Sequence, residues 1–271
     1  MKGVRTGTMH GGLPYFALGD GPPLVVFSGL TPEHANPPPL GLRLDVQTLK
    51  PFAPSRTVYQ LNRKPGLAEG ASMQDIANDH AEALRKEFDG PVDIIGISTG
   101  GSVVQQFAID HPDLLKRLVL ASTACRLGEH GRALQRRMLE HADKGNGRAG
   151  FREISAGMIA NPIGSRLAGW GGWLLGPFMM GNPSDLSDMM ITLRAEDVFD
   201  ATPNLGRITA PTLIVCGAKD RFYSPELFRA TADGIPNARL VMYEGKGHVG
   251  ALSGKAFARD VLAFLEAPDV H

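Results

Sequence analysis

Three short segments carry residue types that together could perform acyl transfer. The first is Gly96-Ile97-Ser98-Thr99-Gly100, a G-x-S-x-G pentapeptide. It follows the apolar run Val92–Ile95 and precedes a helix-like stretch from Gly101 to Asp110. Strand, sharp turn and helix is the context that a nucleophile elbow needs, with the serine at a strained backbone position and glycines on either side. A serine hydroxyl is a weak nucleophile at neutral pH and requires a base, and the base requires an orienting carboxylate. The second segment, Cys216-Gly217-Ala218-Lys219-Asp220, offers Asp220 directly after an apolar run. The third, Tyr243-Glu244-Gly245-Lys246-Gly247-His248, offers His248 on a glycine-rich turn after the last run. Ser98, Asp220 and His248 are therefore the candidate catalytic residues, in the chain order serine, acid, histidine. Glu244 is a rival acid, four residues before His248. Ser122 and Thr123, after the Leu118–Ala121 run, cannot serve as the acid.

The elements that must position these residues are legible as continuous apolar runs, which suit strands covered on both faces. They are Leu24–Phe27, Val58–Leu61, Val92–Ile95, Leu118–Ala121, Thr212–Cys216 and Leu240–Tyr243. Before them, Val4–His10 and Leu13–Leu18 read as two strands joined at Gly11-Gly12, a two-residue hairpin signal. Between Ser72 and Phe88, residues Met73, Ile76, Ala77, His80, Ala83, Leu84 and Phe88 fall on one helical face, and Ser72 with Asp75 forms a capping box. Ser253–Leu265 reads as a second helix with Phe257, Val261, Leu262 and Leu265 inward. The alternation predicts an α/β fold, a mostly parallel doubly wound sheet in which ligands bind beyond the carboxyl ends of the strands. The core spans 1–121 and 212–271. Residues 122–211 carry no strand signal and read as a helical cap inserted after the sixth strand.

Composition narrows the function. The 271 residues hold 28 Lys+Arg and 28 Asp+Glu, so no basic field exists for nucleic acid or an anionic membrane. Two cysteines are too few for a disulfide framework. The basic N-terminus has no apolar segment behind it, so a cytoplasmic protein is expected. The longest uncharged stretch, Leu167–Ser184, carries five glycines and two prolines and makes a poor membrane span. Gly145–Gly150 matches G-x-G-x-x-G but follows no strand, so it is no dinucleotide fingerprint. No metal-ligand motif is present, and neither a metal nor a cofactor is expected.

With these motifs the chain resembles the α/β-hydrolase fold superfamily over nearly its full length, through G-I-S-T-G-G, the G-A-K-D-R turn, G-K-G-H and the insertion. Within it, the chain is similar to small bacterial esterases and serine-dependent N-acyl-homoserine lactone lactonases. The resemblance implies an oxyanion hole from the backbone N–H of Thr99 and a second donor in Ser28-Gly29-Leu30, with Leu30 or Gly29 open as that donor. It also implies acyl transfer, because relatives that attack sp³ carbon carry Asp at the elbow. Arg63, in a loop where relatives carry Asp-x-Arg-Gly, reads as structural, and His34 as a solvated loop residue. Gly29, Met158, Trp170, Trp173 and Phe178 are candidate lining of an apolar acyl pocket. The expected partner is a small-molecule ester or lactone, N-acyl-homoserine lactone first. A carbon–carbon bond hydrolase of ring-fission products and a low-turnover ligand receptor are the alternatives on the same fold.

Overall fold

The computed structural model describes residues 3–32, 35–180 and 186–268, of which 175–180 as backbone only. Its strands are β1 (Val4–Thr8), β2 (Pro14–Leu18), β3 (Pro23–Phe27), β4 (Thr57–Leu61), β5 (Val92–Ile97), β6 (Leu115–Ala121), β7 (Thr212–Gly217) and β8 (Ala238–Tyr243). They form one sheet in the order β1-β2-β4-β3-β5-β6-β7-β8. The pairs β1/β2 and β2/β4 are antiparallel and the rest parallel. From β3 the chain crosses to β4 on one side, then to β5 on the other. The strand order reverses there, and the crevice beyond the carboxyl ends of β3 and β5 is where this topology places ligands.

The helices are α1 (Pro39–Leu49), α2 (Met73–Glu87), α3 (Thr99–Asp110), α4 (Glu129–Asp143), α5 (Gly147–Gly157), α6 (Pro162–Met180), α7 (Ser187–Val198), α8 (Pro225–Gly234), α9 (His248–Leu252) and α10 (Lys255–Leu265). Two apolar cores lie on the two faces of the sheet. One gathers Phe27, Ile94 and Leu120 with α2 and α3; the other gathers Val26, Ile95 and Val215 with α10. Opposite side-chain directions at successive strand residues produce this division. Helix α2 starts at the expected capping box: Ser72 Oγ accepts from Asp75 N–H and Asp75 accepts from Ser72 N–H.

One connection differs from the sequence reading. Strands β1 and β2 pair Thr8 with Pro14, so Met9–Leu13 form the link, not Gly11-Gly12 alone. Met9 and Leu13 turn into the core and close the link through Met9 N–H to Leu13 C=O at 2.8 Å. Between them a 3₁₀ turn at His10–Gly12 uses both glycines at positive φ.

Candidate active site

Ser98 sits between β5 and α3 with φ 51° and ψ −121°. Positive φ in a non-glycine residue is strained and persists only where the surroundings enforce it. Here the enforcement is packing. A side chain at Gly96 would meet Val104 and the Gly100 carbonyl, and one at Gly100 would meet the carbonyl oxygens of Phe27 and Ser28. The G-x-S-x-G spacing thus lets α3 lie against β3 and β5 while Ser98 points into the crevice.

The chain brings Asp220 and His248 to the same place. Asp220 follows β7; His248 follows β8 and opens α9. His248 Nε2 is 3.0 Å from Ser98 Oγ, and His248 Nδ1 is 2.8 Å from Asp220 Oδ2. An ionised carboxylate only accepts, so Nδ1 carries the proton and Nε2 is free to accept from the serine hydroxyl. The Asp220 side chain is fully buried, and its other oxygen accepts the N–H groups of Phe222 at 2.8 Å and Tyr223 at 3.3 Å. The Phe222 ring lies 4.7 Å from the imidazole, and Tyr223 stacks against it at 6.1 Å. Ser122, also at positive φ, donates its hydroxyl to the His248 carbonyl at 2.8 Å. Glu244, the rival acid, is exposed.

Thr99 is the first residue of α3, so its N–H has no intrahelical partner. Thr99, Gly29 and Leu30 line one cavity of about 20 Å³ together with His80, Arg63 and Thr192. Arg63 holds the facing loop. Its guanidinium donates to the Thr31 carbonyl at 2.8 Å, the Thr31 hydroxyl at 2.9 Å and the Pro32 carbonyl at 3.1 Å. Burial pulls this guanidinium down to about 10, while Asp188 acts in the opposite direction. His80 is buried against the Phe27 ring, with Nδ1 2.8 Å from the Ile76 carbonyl. Burial holds its imidazole below the ordinary histidine value.

The expected acyl lining is only partly assembled. Gly29 faces the cavity, but Met158 packs half-buried against the core and does not line it. Trp170 and Trp173 do not line that cavity; they are 61% and 38% exposed, beneath the guanidinium groups of Arg152 and Arg148. The reason lies in the glycines of α6. Ser165, Gly169 and Gly172 pack onto α5, which turns Ile163, Leu167, Trp170 and Leu174 outward. The side chain of Phe178, and His34 altogether, lie outside the described residues.

One group escaped the sequence reading. Glu196 on α7 is 1% exposed. It accepts from Thr99 Oγ1 at 2.9 Å, Ser102 Oγ at 2.9 Å and Gln135 Nε2 at 2.7 Å. Burial pushes its carboxyl above the ordinary glutamate value, against the pull of those donors. The available signal was the spacing of Asp188, Thr192 and Glu196, which puts three polar residues on one face of a helix.

The known proteins that this chain resembles agree with this architecture. It is 30% identical over 197 residues to the pimeloyl-[acyl-carrier protein] methyl ester esterase of Neisseria meningitidis, covering 69% of this chain and 74% of that one. It is 31% identical over 221 residues to the polyketide synthase ThaQ of Burkholderia thailandensis; the match covers 74% of this chain and spans 10% of that much longer protein. The crystal structure of MGS-M2, an alpha/beta hydrolase enzyme from a Medee basin deep-sea metagenome library, superposes with a TM-score of 0.81 at 19% identity, covering 98% and 99% of the two chains. The model of the alpha/beta hydrolase family matches residues 22–260. With that match spanning β3 to β8, the elbow and the Asp220 and His248 turns, the chain belongs to the alpha/beta hydrolase family.

Proposed function

We propose that the protein is a serine hydrolase of carboxylic esters, acting through an acyl-enzyme on small to medium apolar esters or lactones. The observation that carries this reading is the unbroken line Ser98 Oγ, His248 Nε2, His248 Nδ1, Asp220 Oδ2, with steps of 3.0 and 2.8 Å. In the proposed reaction His248 takes the Ser98 proton as Oγ attacks the ester carbonyl, then returns it to the leaving alkoxide. A water deprotonated by the same Nε2 attacks the acyl-enzyme and releases the acid. Asp220 holds the imidazole tautomer and stabilises the imidazolium. The N–H groups of Thr99 and Leu30 are the proposed oxyanion donors, each worth about 10²–10³ in rate. The methyl ester esterase relative supports an ester substrate. A lactone is a cyclic ester open to the same attack, and N-acyl-homoserine lactone is the first candidate to assay.

Ser98→Ala tests the reading. It is expected to lower p-nitrophenyl ester turnover by about 10⁶ with an unchanged melting temperature. A fluorophosphonate should label Ser98 in the wild type, located by peptide mass spectrometry. Turnover retained in the variant, or label on a different serine, overturns the assignment.

A further inference from the structure

Oxyanion stabilisation depends on donors fixed before charge develops, since a donor that must reorient gives back part of its effect. The Thr99 N–H is the donor in need of fixing. It follows Ser98, whose φ of 51° breaks the regular backbone, and as the first residue of α3 its N–H has no intrahelical partner. The buried carboxylate of Glu196 grips that turn twice. Its Oε2 accepts from the Thr99 hydroxyl and its Oε1 from the Ser102 hydroxyl, both at 2.9 Å. Thr99 and Ser102 are three residues apart, one helical turn, so the two oxygens strap the turn from one side. Gln135 on α4 anchors the carboxylate at 2.7 Å, and Tyr223, the residue stacked on His248, brings its hydroxyl to 3.5 Å.

The same helix reaches the opposite wall of the cavity. Asp188, eight residues before Glu196, accepts the N–H groups of Gly66 at 2.9 Å and Leu67 at 2.8 Å, and its charge acts on Arg63. Arg63 in turn holds Thr31 and Pro32, next to Leu30. Helix α7 therefore acts on two residues that line the cavity, on Thr99 through Glu196 and on Arg63 through the charge of Asp188, with its own Thr192 lining it as well. A carboxyl buried this deeply is costly unless its partners are exact, and an apolar side chain would fill the position at lower cost to folding.

We propose that Glu196 is a positioning residue of the reaction, aligning the Thr99 N–H with the developing oxyanion and so making α7 part of the catalytic apparatus. The proposal rests on the Ser98 acyl-transfer reading. It differs from a purely structural role in its kinetic signature. A brace for the oxyanion donor acts on the transition state, so its loss lowers kcat and leaves KM nearly unchanged. It also acts through Thr99, so removing either partner removes the same effect.

The test compares wild type, Glu196→Gln, Thr99→Val, the double variant and Ser98→Ala on p-nitrophenyl acetate, with melting temperatures alongside. Glu196→Gln and Thr99→Val are each expected to lower kcat about tenfold, a fraction of the loss of a whole donor, with KM within about twofold. The double variant should fall no further than the worse single one, because the two changes break one interaction. Binding of a phenylboronic acid, whose tetrahedral adduct on Ser98 places an oxygen in the hole, should weaken in step with kcat/KM. If Glu196→Gln does not fold, Thr99→Val alone reads the same kcat and boronate changes. Unchanged kcat in the folded variants, a melting shift without a kinetic one, or additive losses in the double variant overturn the proposal. Turnover retained by Ser98→Ala instead overturns the acyl-transfer reading.

Discussion

Asp220 accepts three hydrogen bonds, one from His248 and two from the backbone N–H groups of Phe222 and Tyr223. The backbone pair fixes the carboxylate before the histidine meets it. Asp220→Asn preserves the shape but can present an N–H to Nδ1, which favours the wrong tautomer. In the proposed mechanism kcat on p-nitrophenyl acetate is expected to fall by about 10⁴, and Glu244→Gln to leave it unchanged, since Glu244 is exposed. A larger loss in Glu244→Gln assigns the acid to that residue. The proximity of these three residues was readable in the sequence because each stands within five residues of the end of its own strand, in a turn that contains glycine. Glu196 was not. A glutamate inside a helix ordinarily faces water, and its spacing with Asp188 and Thr192 marks a polar face without showing that its donors come from α3 and α4, some sixty to a hundred positions away. Ser122 is the same case: its partner, the His248 carbonyl, lies 126 residues along the chain.

At the scale of elements, the strands were legible because parallel strands buried on both faces read as unbroken apolar runs. Helix α2 was legible from its cap and its apolar face. His80 on that face is the exception within it, a titratable ring buried against Phe27 and donating through Nδ1 to the Ile76 carbonyl. Burial lowers its folded-state value below 6.5. A depressed folded value means that the unfolded chain takes up the proton first as pH falls. The stability it contributes is therefore complete above about 6.5 and is lost as pH drops from there toward the folded value. His80→Asn keeps an N–H donor for the Ile76 carbonyl and removes the titration. Its melting temperature is expected to change less between pH 7.5 and 5.5 than that of the wild type, measured by calorimetry in matched buffers. Equal slopes would assign the acid sensitivity to other groups. Helix α6 shows where element-scale reading fails. Its apolar residues were expected inward, but a helix can pack closely through its small residues, and the Ser165, Gly169 and Gly172 side is the one laid on α5.

For the molecule as a whole, that reversal bears on substrate size. The sheet fixes Ser98, Asp220 and His248 from three separate strand ends, while α4 to α7 are inserted in the chain between β6 and β7. The cavity lined by Thr99 and Leu30 holds about 20 Å³, room for about one water-sized group and not for an acyl chain. In the proposed function, kcat/KM among p-nitrophenyl esters is expected to be highest for small to medium acyl groups, acetate to butyrate, and to fall toward octanoate. Acyl-homoserine lactones should rank the same way by acyl length. Trp170→Ala should leave this ranking in place, because its ring lies on the outer side of α6. A preference for octanoate, or its loss when Trp170 is truncated, would mean that α6 turns its exposed apolar face to the acyl chain during turnover.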